Sequence, residues 1–124
     1  MIAAALVLAQ VPVPDRATEV TVIGQRLRAW RGTVRSQGGK VACRTQASTG
    51  DREIDAIGCK ALTACSTPME SRLIALAQNE ALAPAARKAA QASINDELAR
   101  CMTKRHDAAI QALAERRYAA RIGA

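Results

Sequence analysis

Four cysteines constrain the fold of this chain more than any other feature; they are Cys43, Cys59, Cys65 and Cys101. An even number of cysteines in a short chain is typical of a disulfide framework. Hydrophobic residues make up 49% of the 124 residues, but many are alanine, phenylalanine is absent, and the only aromatic residues are Trp30 and Tyr118. Alanine buries little apolar area, so we expect two disulfides to supply stability that the core lacks.

The first nine residues form an apolar run without charge, typical of a short export signal. A membrane-spanning helix needs about 20 apolar residues, so this run predicts no transmembrane span. We interpret residues 1–9 as a signal segment, 10–18 as a flexible N-terminal segment and 19–124 as one small domain. This interpretation predicts a periplasmic or secreted protein. Because no Lys or Arg precedes the run, the alternatives are a start codon placed too late or a buried N-terminal strand, and the latter predicts a cytoplasmic protein.

The first half of the domain has the pattern of short β-strands. Residues 19–23 are rich in β-branched side chains and end at Gly24, which predicts a strand. Residues 28–35 and 40–46 flank Gly38-Gly39, which predicts a β-hairpin. On its second arm Val41, Cys43 and Thr45 share one face, so we expect Cys43 to point toward the core.

The second half has the pattern of helices. Acidic residues at 51, 53 and 55 indicate a first helix over about 52–65. Thr67, Pro68 and Glu70 predict a capping box that opens a second helix. Its expected buried stripe comprises Met69, Leu73, Leu76 and Ala77. After Pro84, residues 85–120 contain neither proline nor glycine, so the segment from Pro84 to about residue 120 predicts one long helix, or two with a slight break. The predicted fold is α+β: a small antiparallel sheet or hairpin, then about three helices, stapled by disulfides.

The first helix limits how the cysteines pair. Cys59 and Cys65 would lie about 9 Å apart along its axis, beyond the reach of a disulfide. Two pairings remain: Cys43–Cys59 with Cys65–Cys101, or Cys43–Cys65 with Cys59–Cys101. We favour the first pairing, because it would join the hairpin to the helix and the long C-terminal helix to the rest.

A local motif extends this interpretation. Gly39-Lys-Val41-Ala-Cys43, Ser48-Thr49-Gly50-Asp51, Ile54-Asp55 and Cys59 together resemble the strand–helix part of the C-terminal domain of TonB-type energy transducers. The resemblance covers about residues 39–59. It implies a strand, a short turn and a helix, with a disulfide between Cys43 and Cys59. A returning strand of the transducer type, a proline-rich spacer and a full membrane anchor are missing, so the resemblance implies a local packing unit.

The charge balance favours an anionic partner. Lys and Arg number 18 against 11 Asp and Glu, which gives a net charge of +7. Acidic envelope proteins and anionic membrane surfaces fit such a charge, whereas nucleic acid is disfavoured because stacking aromatic residues and a recognisable motif are lacking. The basic residues predicted to form this patch are Arg26, Arg28, Arg31, Arg35, Arg100, Lys104, Arg105, Arg116 and Arg117, with Lys40 and Arg121 beside them.

The sequence contains no recognisable catalytic or metal-binding constellation. Zinc sites usually begin with two cysteines separated by two to four residues. Here the intervals between successive cysteines hold 15, 5 and 35 residues. His106 is the only histidine, and we expect it on a solvated helix surface. A calcium loop starting at Asp51 would need glycine and glutamate where the chain has Ala56 and Leu62. We therefore expect no metal and no cofactor. The sequence predicts a non-enzymatic binding or adaptor module of the cell envelope; the alternative is a cationic protein that binds anionic lipid or nucleic acid.

Overall fold

The structure, a computed structural model, describes residues 15–123. The proposed signal segment and residues 10–14 lie outside this part of the chain. The two strands pair as a single antiparallel sheet, and two disulfides join the elements. This confirms the predicted α+β fold of a hairpin followed by three helices, and it adds one helix before the hairpin. The elements are α1 (Arg16–Arg28), β1 (Arg31–Gln37), β2 (Lys40–Ala47), α2 (Arg52–Ser66), a 3-10 turn (Thr67–Met69), α3 (Glu70–Gln78) and α4 (Pro84–Ile122).

Residues 19–23 lie inside α1, so the prediction of a strand there was wrong. Asp15 caps the helix, because its carboxylate accepts a hydrogen bond of 2.8 Å from the Thr18 N–H. Ile23 and Leu27, one turn apart, are both buried. The preference of β-branched residues for strands is weak and depends on context. Here it is overridden by packing of the Ile23 face of α1 against the core.

The hairpin forms where it was predicted. Gly38 and Gly39 have φ values of 56° and 79°, the left-handed conformation that a tight two-residue turn requires. Strand alternation places Val41, Cys43 and Thr45 on the half-buried inner face, as expected. Their neighbours on β2 are exposed, so the hairpin has one packed face and one open face.

Trp30 fills the space between the hairpin and α2. Its indole Nε1 donates a 3.1 Å hydrogen bond to Thr45 Oγ1, and only 7% of the residue is exposed. A Cβ at Gly32 or at Gly58 would lie less than 3.0 Å from indole carbons. The two glycines therefore let β1 and α2 approach the ring closely.

Helix α2 lies at the centre of the fold and is tied by both disulfides. Cys43–Cys59 links it to β2, with a Cα–Cα distance of 5.5 Å, and Cys65–Cys101 links it to α4, with a Cα–Cα distance of 5.8 Å. This is the pairing that the sequence favoured. On its other faces α2 contacts α1 and the C-terminal half of α4, and the buried residues Ile54, Leu113 and Ala114 form part of the core there.

The chain does not restart after α2 as the capping box predicted. Thr67 continues the helical path and donates its hydroxyl to the Thr63 carbonyl, 2.7 Å away, while Glu70 accepts a hydrogen bond from Ser36. No new N-terminus is created, so there is nothing for Thr67 to cap. Helix α3 has no buried residue, and the predicted buried stripe is wrong.

Helix α4 is one continuous helix of 39 residues, which corresponds to about 58 Å at the usual helical rise. Three of its four buried residues, Ile110, Leu113 and Ala114, lie in its C-terminal half and pack against α1 and α2. The N-terminal half has one buried residue, Ile94, and contacts α3 through the Arg72–Glu97 ion pair and through a hydrogen bond from Arg87 to the Leu76 carbonyl. The helix is therefore long enough to belong both to the core and to a projection beyond it.

Candidate functional site

The open face of the hairpin is the strongest candidate for a binding surface. Strand alternation brings Arg31 and Arg35 of β1 and Lys40 and Arg44 of β2 to this side, and all four are exposed. We call these four residues the cationic face. Thr33 separates the arginines along β1 and lies opposite Arg44 in the register.

No acidic residue interrupts this surface in sequence. Residues 20–50 contain six basic residues and no Asp or Glu. Within the described part of the chain, none of the four cations of the cationic face takes part in an ion pair. The carboxylate of Glu70 reaches the hairpin at Ser36, whose side of the strand is opposite to that of Arg35.

The spacing of the cations indicates what such a face would bind. Arg35 and Arg44 are diagonal neighbours in the register, expected about 7–8 Å apart with a somewhat shorter distance between their Cβ atoms. Two like charges at about 7 Å repel by about 0.6 kcal/mol in water. This repulsion is too small to disturb the hairpin, but an anionic group placed between the two side chains would relieve it and gain attraction from both.

A groove runs beside the cationic face. It has a volume of about 1010 Å³ and lies between α1, α4 and the start of β1. Its apolar lining includes Leu27, Leu62 and Ile110, and Arg28 and Arg31 stand at its edge. Arg31 thus belongs both to the groove and to the cationic face. One of its guanidinium nitrogens donates to the Arg28 and Trp30 carbonyls at 2.8 Å and 2.9 Å, which holds the side chain at the junction.

His106 lines the same groove and is half-buried, so the expectation of a solvated histidine was wrong. Its Nε2 atom is buried and has no hydrogen-bond partner among the described residues. Burial lowers the pKa of the imidazole below its ordinary value of 6.5, against an opposing effect of Asp107. His106 is therefore held as a neutral ring in the groove wall.

The last three arginines of the predicted basic patch take part in ion pairs. Arg116 pairs with Glu53 at 3.1 Å, and Arg117 pairs with Asp51 at 2.8 Å and with Glu53 at 3.4 Å. Arg121 pairs with the buried Glu19. These arginines hold the end of α4 against α1 and α2, and they do not join the cationic face.

The remaining predicted basic residues are divided between surfaces. Arg26 lies 3.9 Å from Asp51, whereas Arg28 borders the groove. Arg100, Lys104 and Arg105 are exposed on α4, away from the hairpin in sequence and in element contacts. Arg44 was not included in the predicted patch. The signal that identifies it is strand alternation, which places it on the side of Lys40.

Asp51 shows how the acidic residues at the start of α2 are used. Its carboxylate accepts hydrogen bonds from the N–H groups of Glu53 and Ile54, at 3.0 Å and 3.3 Å. Burial alone would raise the pKa of Asp51, but Arg117 and these N–H groups together hold it below 3.8. The Ser48 hydroxyl, followed by the N–H and hydroxyl of Thr49, likewise lowers the pKa of Asp55. Asp51 therefore caps the N-terminus of α2, and Asp55 fixes the turn that precedes it.

The described part of the chain contains neither a metal-binding group of side chains nor a helix that could span a membrane. Within residues 15–123, no group of three or more His, Cys, Asp or Glu side chains is arranged to hold a metal ion. Over the same residues, no helix combines the length and the apolar character needed to cross a bilayer.

Comparisons with known proteins assign no family to this arrangement. No protein-family model, no curated protein and no solved structure matches the chain. The strand–turn–helix order and the Cys43–Cys59 disulfide are present. The resemblance of residues 39–59 to energy transducers stays a prediction.

Proposed function

We propose that this protein is a non-enzymatic binding or adaptor module of the cell envelope, and that its cationic face binds an acidic segment of another protein. The observation that carries the proposal is the exposed, acid-free outer face of the hairpin, with Arg31, Arg35, Lys40 and Arg44 outside all ion pairs of the described residues. A surface with one sign of charge attracts and orients a partner of the opposite sign.

The groove supports a protein partner over a bare anionic surface. Its lining contains Leu27, Leu62 and Ile110 together with Arg31 of the cationic face, so one partner could place an apolar side chain in the groove and a carboxylate on Arg31. Nucleic acid has less support, because Trp30 is nearly fully buried and Tyr118 is half-buried, and stacking on bases needs exposed rings.

The envelope location is supported by the disulfides. Disulfides persist in oxidising compartments and are rare in the cytosol. The intact mass of the unreduced protein from its host, before and after thiol alkylation, tests this part of the proposal. A shortened N-terminus with no alkylated thiol is expected. A full-length chain with four reactive thiols would place the protein in the cytoplasm.

The binding proposal is tested with a labelled peptide of alternating acidic and apolar residues, followed by fluorescence anisotropy. Screening should weaken binding markedly between about 50 and about 500 mM NaCl. Reversal of two charges on the face, R35E/R44E, should weaken binding at least about tenfold, equivalent to about 1.4 kcal/mol.

The matched control is R100E/R105E, which changes the net charge by the same amount on exposed arginines of α4. It should leave the affinity within about threefold of the unmodified protein, because neither residue lies on the hairpin or lines the groove. Equal losses in both variants would reduce the binding to net charge and overturn the proposed face. Binding to anionic vesicles or duplex DNA, with none to the peptide, would replace the protein partner by that ligand.

A further inference from the structure

Helix α3 and the first half of α4 form a projection that the core does not cover. We call residues 70–100 the helical arm. None of the nine residues of α3 is buried, and Leu73 and Ile74 are 39% and 46% exposed. Between residues 84 and 100 only Ile94 is buried. Amphipathic helices normally bury their apolar side against another element, but Leu73 and Ile74 have no such partner among residues 15–123, which the structure describes.

Polar contacts, more than apolar burial, hold the two helices of the arm together. Arg72 pairs with Glu97 across the helices, and Arg87 donates to the Leu76 carbonyl at 2.6 Å and to the Asn79 carbonyl. The Cys65–Cys101 disulfide ties the base of the arm to α2. These contacts hold α3 beside α4, and Leu73 and Ile74 stay partly exposed.

The charge of the arm distinguishes it from the rest of the molecule. It contains four basic and four acidic residues, so its net charge is zero. The remaining 14 basic and seven acidic residues leave the whole net charge of +7 outside the arm. An acidic protein or an anionic membrane would therefore be attracted to the body, whereas two bodies would repel each other. The charged residues of the arm are Arg72, Arg87, Lys88 and Arg100, and Glu70, Glu80, Asp96 and Glu97.

We propose that the helical arm binds the arm of a second copy, forming a four-helix contact that keeps the two cationic bodies apart. A second arm is electrically neutral and carries the same exposed aliphatic residues. Antiparallel packing of two helical hairpins is a common way to bury such surfaces. In that arrangement the bodies stand at opposite ends, where their repulsion is weakest.

The size of the arm sets the expected strength. Residues 84–100 extend about 25 Å and the nine residues of α3 extend about 14 Å; with each helix about 10 Å wide, the arm offers about 400 Å² of face. Stable interfaces bury about 800 Å² on each partner. The contact should therefore be a weak, reversible dimer with a dissociation constant in the micromolar range, visible at high protein concentration.

Sedimentation equilibrium of the unmodified protein tests this inference over about 5 to 500 µM, a range in which a micromolar dimer changes its population strongly. A monomer–dimer equilibrium is expected, and raising the salt concentration should not weaken it. L73E and I74E should each weaken the dimer at least about tenfold, because a carboxylate would have to be desolvated at the contact. V22E is the matched control, since Val22 is 43% exposed but lies on α1, outside the arm.

Two results would overturn the proposal: a monomer at every concentration, or equal weakening by V22E. All three variants alter exposed side chains, so their circular dichroism spectra should match the unmodified protein. If a variant is misfolded, hydrogen exchange of the unmodified protein decides. Backbone amides of residues 70–82 should become more protected as the protein concentration rises, and unchanged protection would also overturn the contact.

Discussion

The indole of Trp30 occupies the space that a side chain at Gly58 would need. A Cβ at this position of α2 would lie less than 3.0 Å from three carbons of the ring, Cδ2, Cε2 and Cε3. Trp30 is also joined to β2 through its hydrogen bond to Thr45. One aromatic residue thus connects α1, the hairpin and α2, in a core that has no phenylalanine.

This relationship predicts opposite effects for two glycine substitutions in helices. G58A should lower the free energy of unfolding by about 1–3 kcal/mol, because the ring and the helix must move apart. G24A is the matched control, since its Cβ would meet only Ile110 at 4.0 Å. It should be neutral or stabilise by about 0.5–1 kcal/mol. Urea denaturation measures both, and equal stability of the two variants would contradict the position of Trp30.

The Cys65–Cys101 disulfide should be the larger of the two covalent contributions to stability. It closes a span of 36 residues, and the chain-entropy estimate for such a loop is about 4 kcal/mol. C65S/C101S should therefore lower the melting temperature on the order of 10–20 °C.

The location of the effect distinguishes the two disulfides. Loss of Cys65–Cys101 should increase hydrogen exchange mainly in the helical arm, whose base it ties to α2. C43S/C59S removes the disulfide that closes a span of 16 residues, whose contribution to stability is about 3 kcal/mol. This variant should increase hydrogen exchange mainly in the hairpin. The same exchange pattern in both variants would contradict these separate roles.

Arg117 should contribute more to stability than its neighbour Arg116. The Arg117 side chain is 26% exposed and bonds to Asp51, which is also the N-cap of α2, whereas Arg116 is 66% exposed. R117Q should cost about 1–2 kcal/mol, because it removes the nearer of the two charged partners of a partly buried carboxylate and leaves only Arg26, 3.9 Å away. R116Q should cost less than about 0.5 kcal/mol, as exposed ion pairs usually do. Thermal denaturation of both variants measures the difference, and equal losses would contradict it.

His106 should make the protein less stable as the pH falls below its ordinary pKa of 6.5. Burial lowers the pKa of the folded state, so the unfolded chain binds the proton more readily. The contribution to stability is therefore complete above pH 6.5 and decreases as the pH falls from there through the lower pKa of the folded state. Denaturation midpoints at a series of pH values measure this loss.

H106Q separates this effect from that of the carboxylates. The variant should lose the pH dependence just below pH 6.5 and keep the loss at lower pH. That second loss comes from Asp15, Asp51 and Asp55, whose pKa values are lowered in the fold below 3.8, so their contribution disappears as the pH falls below about 4. An unchanged profile in H106Q would show that the imidazole is not held neutral.

Features set by neighbouring residues could be predicted from the sequence. The Gly38-Gly39 turn and the alternation on β2 predict the hairpin and the inward side of Cys43. Helical rise excludes Cys59–Cys65, which leaves two pairings, and the structure contains the favoured one. The same alternation, applied to Arg44, would have completed the cationic face.

Features that depend on distant contacts could not be predicted in the same way. Local propensity predicted a strand at residues 19–23. In the structure these residues form a helix, because a helix buries Ile23 against α4 and α2. The apolar spacing of α3 predicted a buried stripe, yet spacing alone does not say whether another element lies opposite. His106 has polar neighbours in sequence, and only the approach of α1 to α4 places it in a groove wall.

The sequence by itself determined the hairpin, the long C-terminal helix and the cysteines available for cross-linking, because turn chemistry, periodicity and rise act over a few residues. Only the tertiary structure decided which charges remain unpaired. Arg116, Arg117 and Arg121 form ion pairs with Glu53, Asp51 and Glu19, respectively. No acidic residue of the described chain forms an ion pair with the outer face of the hairpin. Charge compensation depends on distances of a few ångströms between residues far apart in the chain, and folding alone sets those distances.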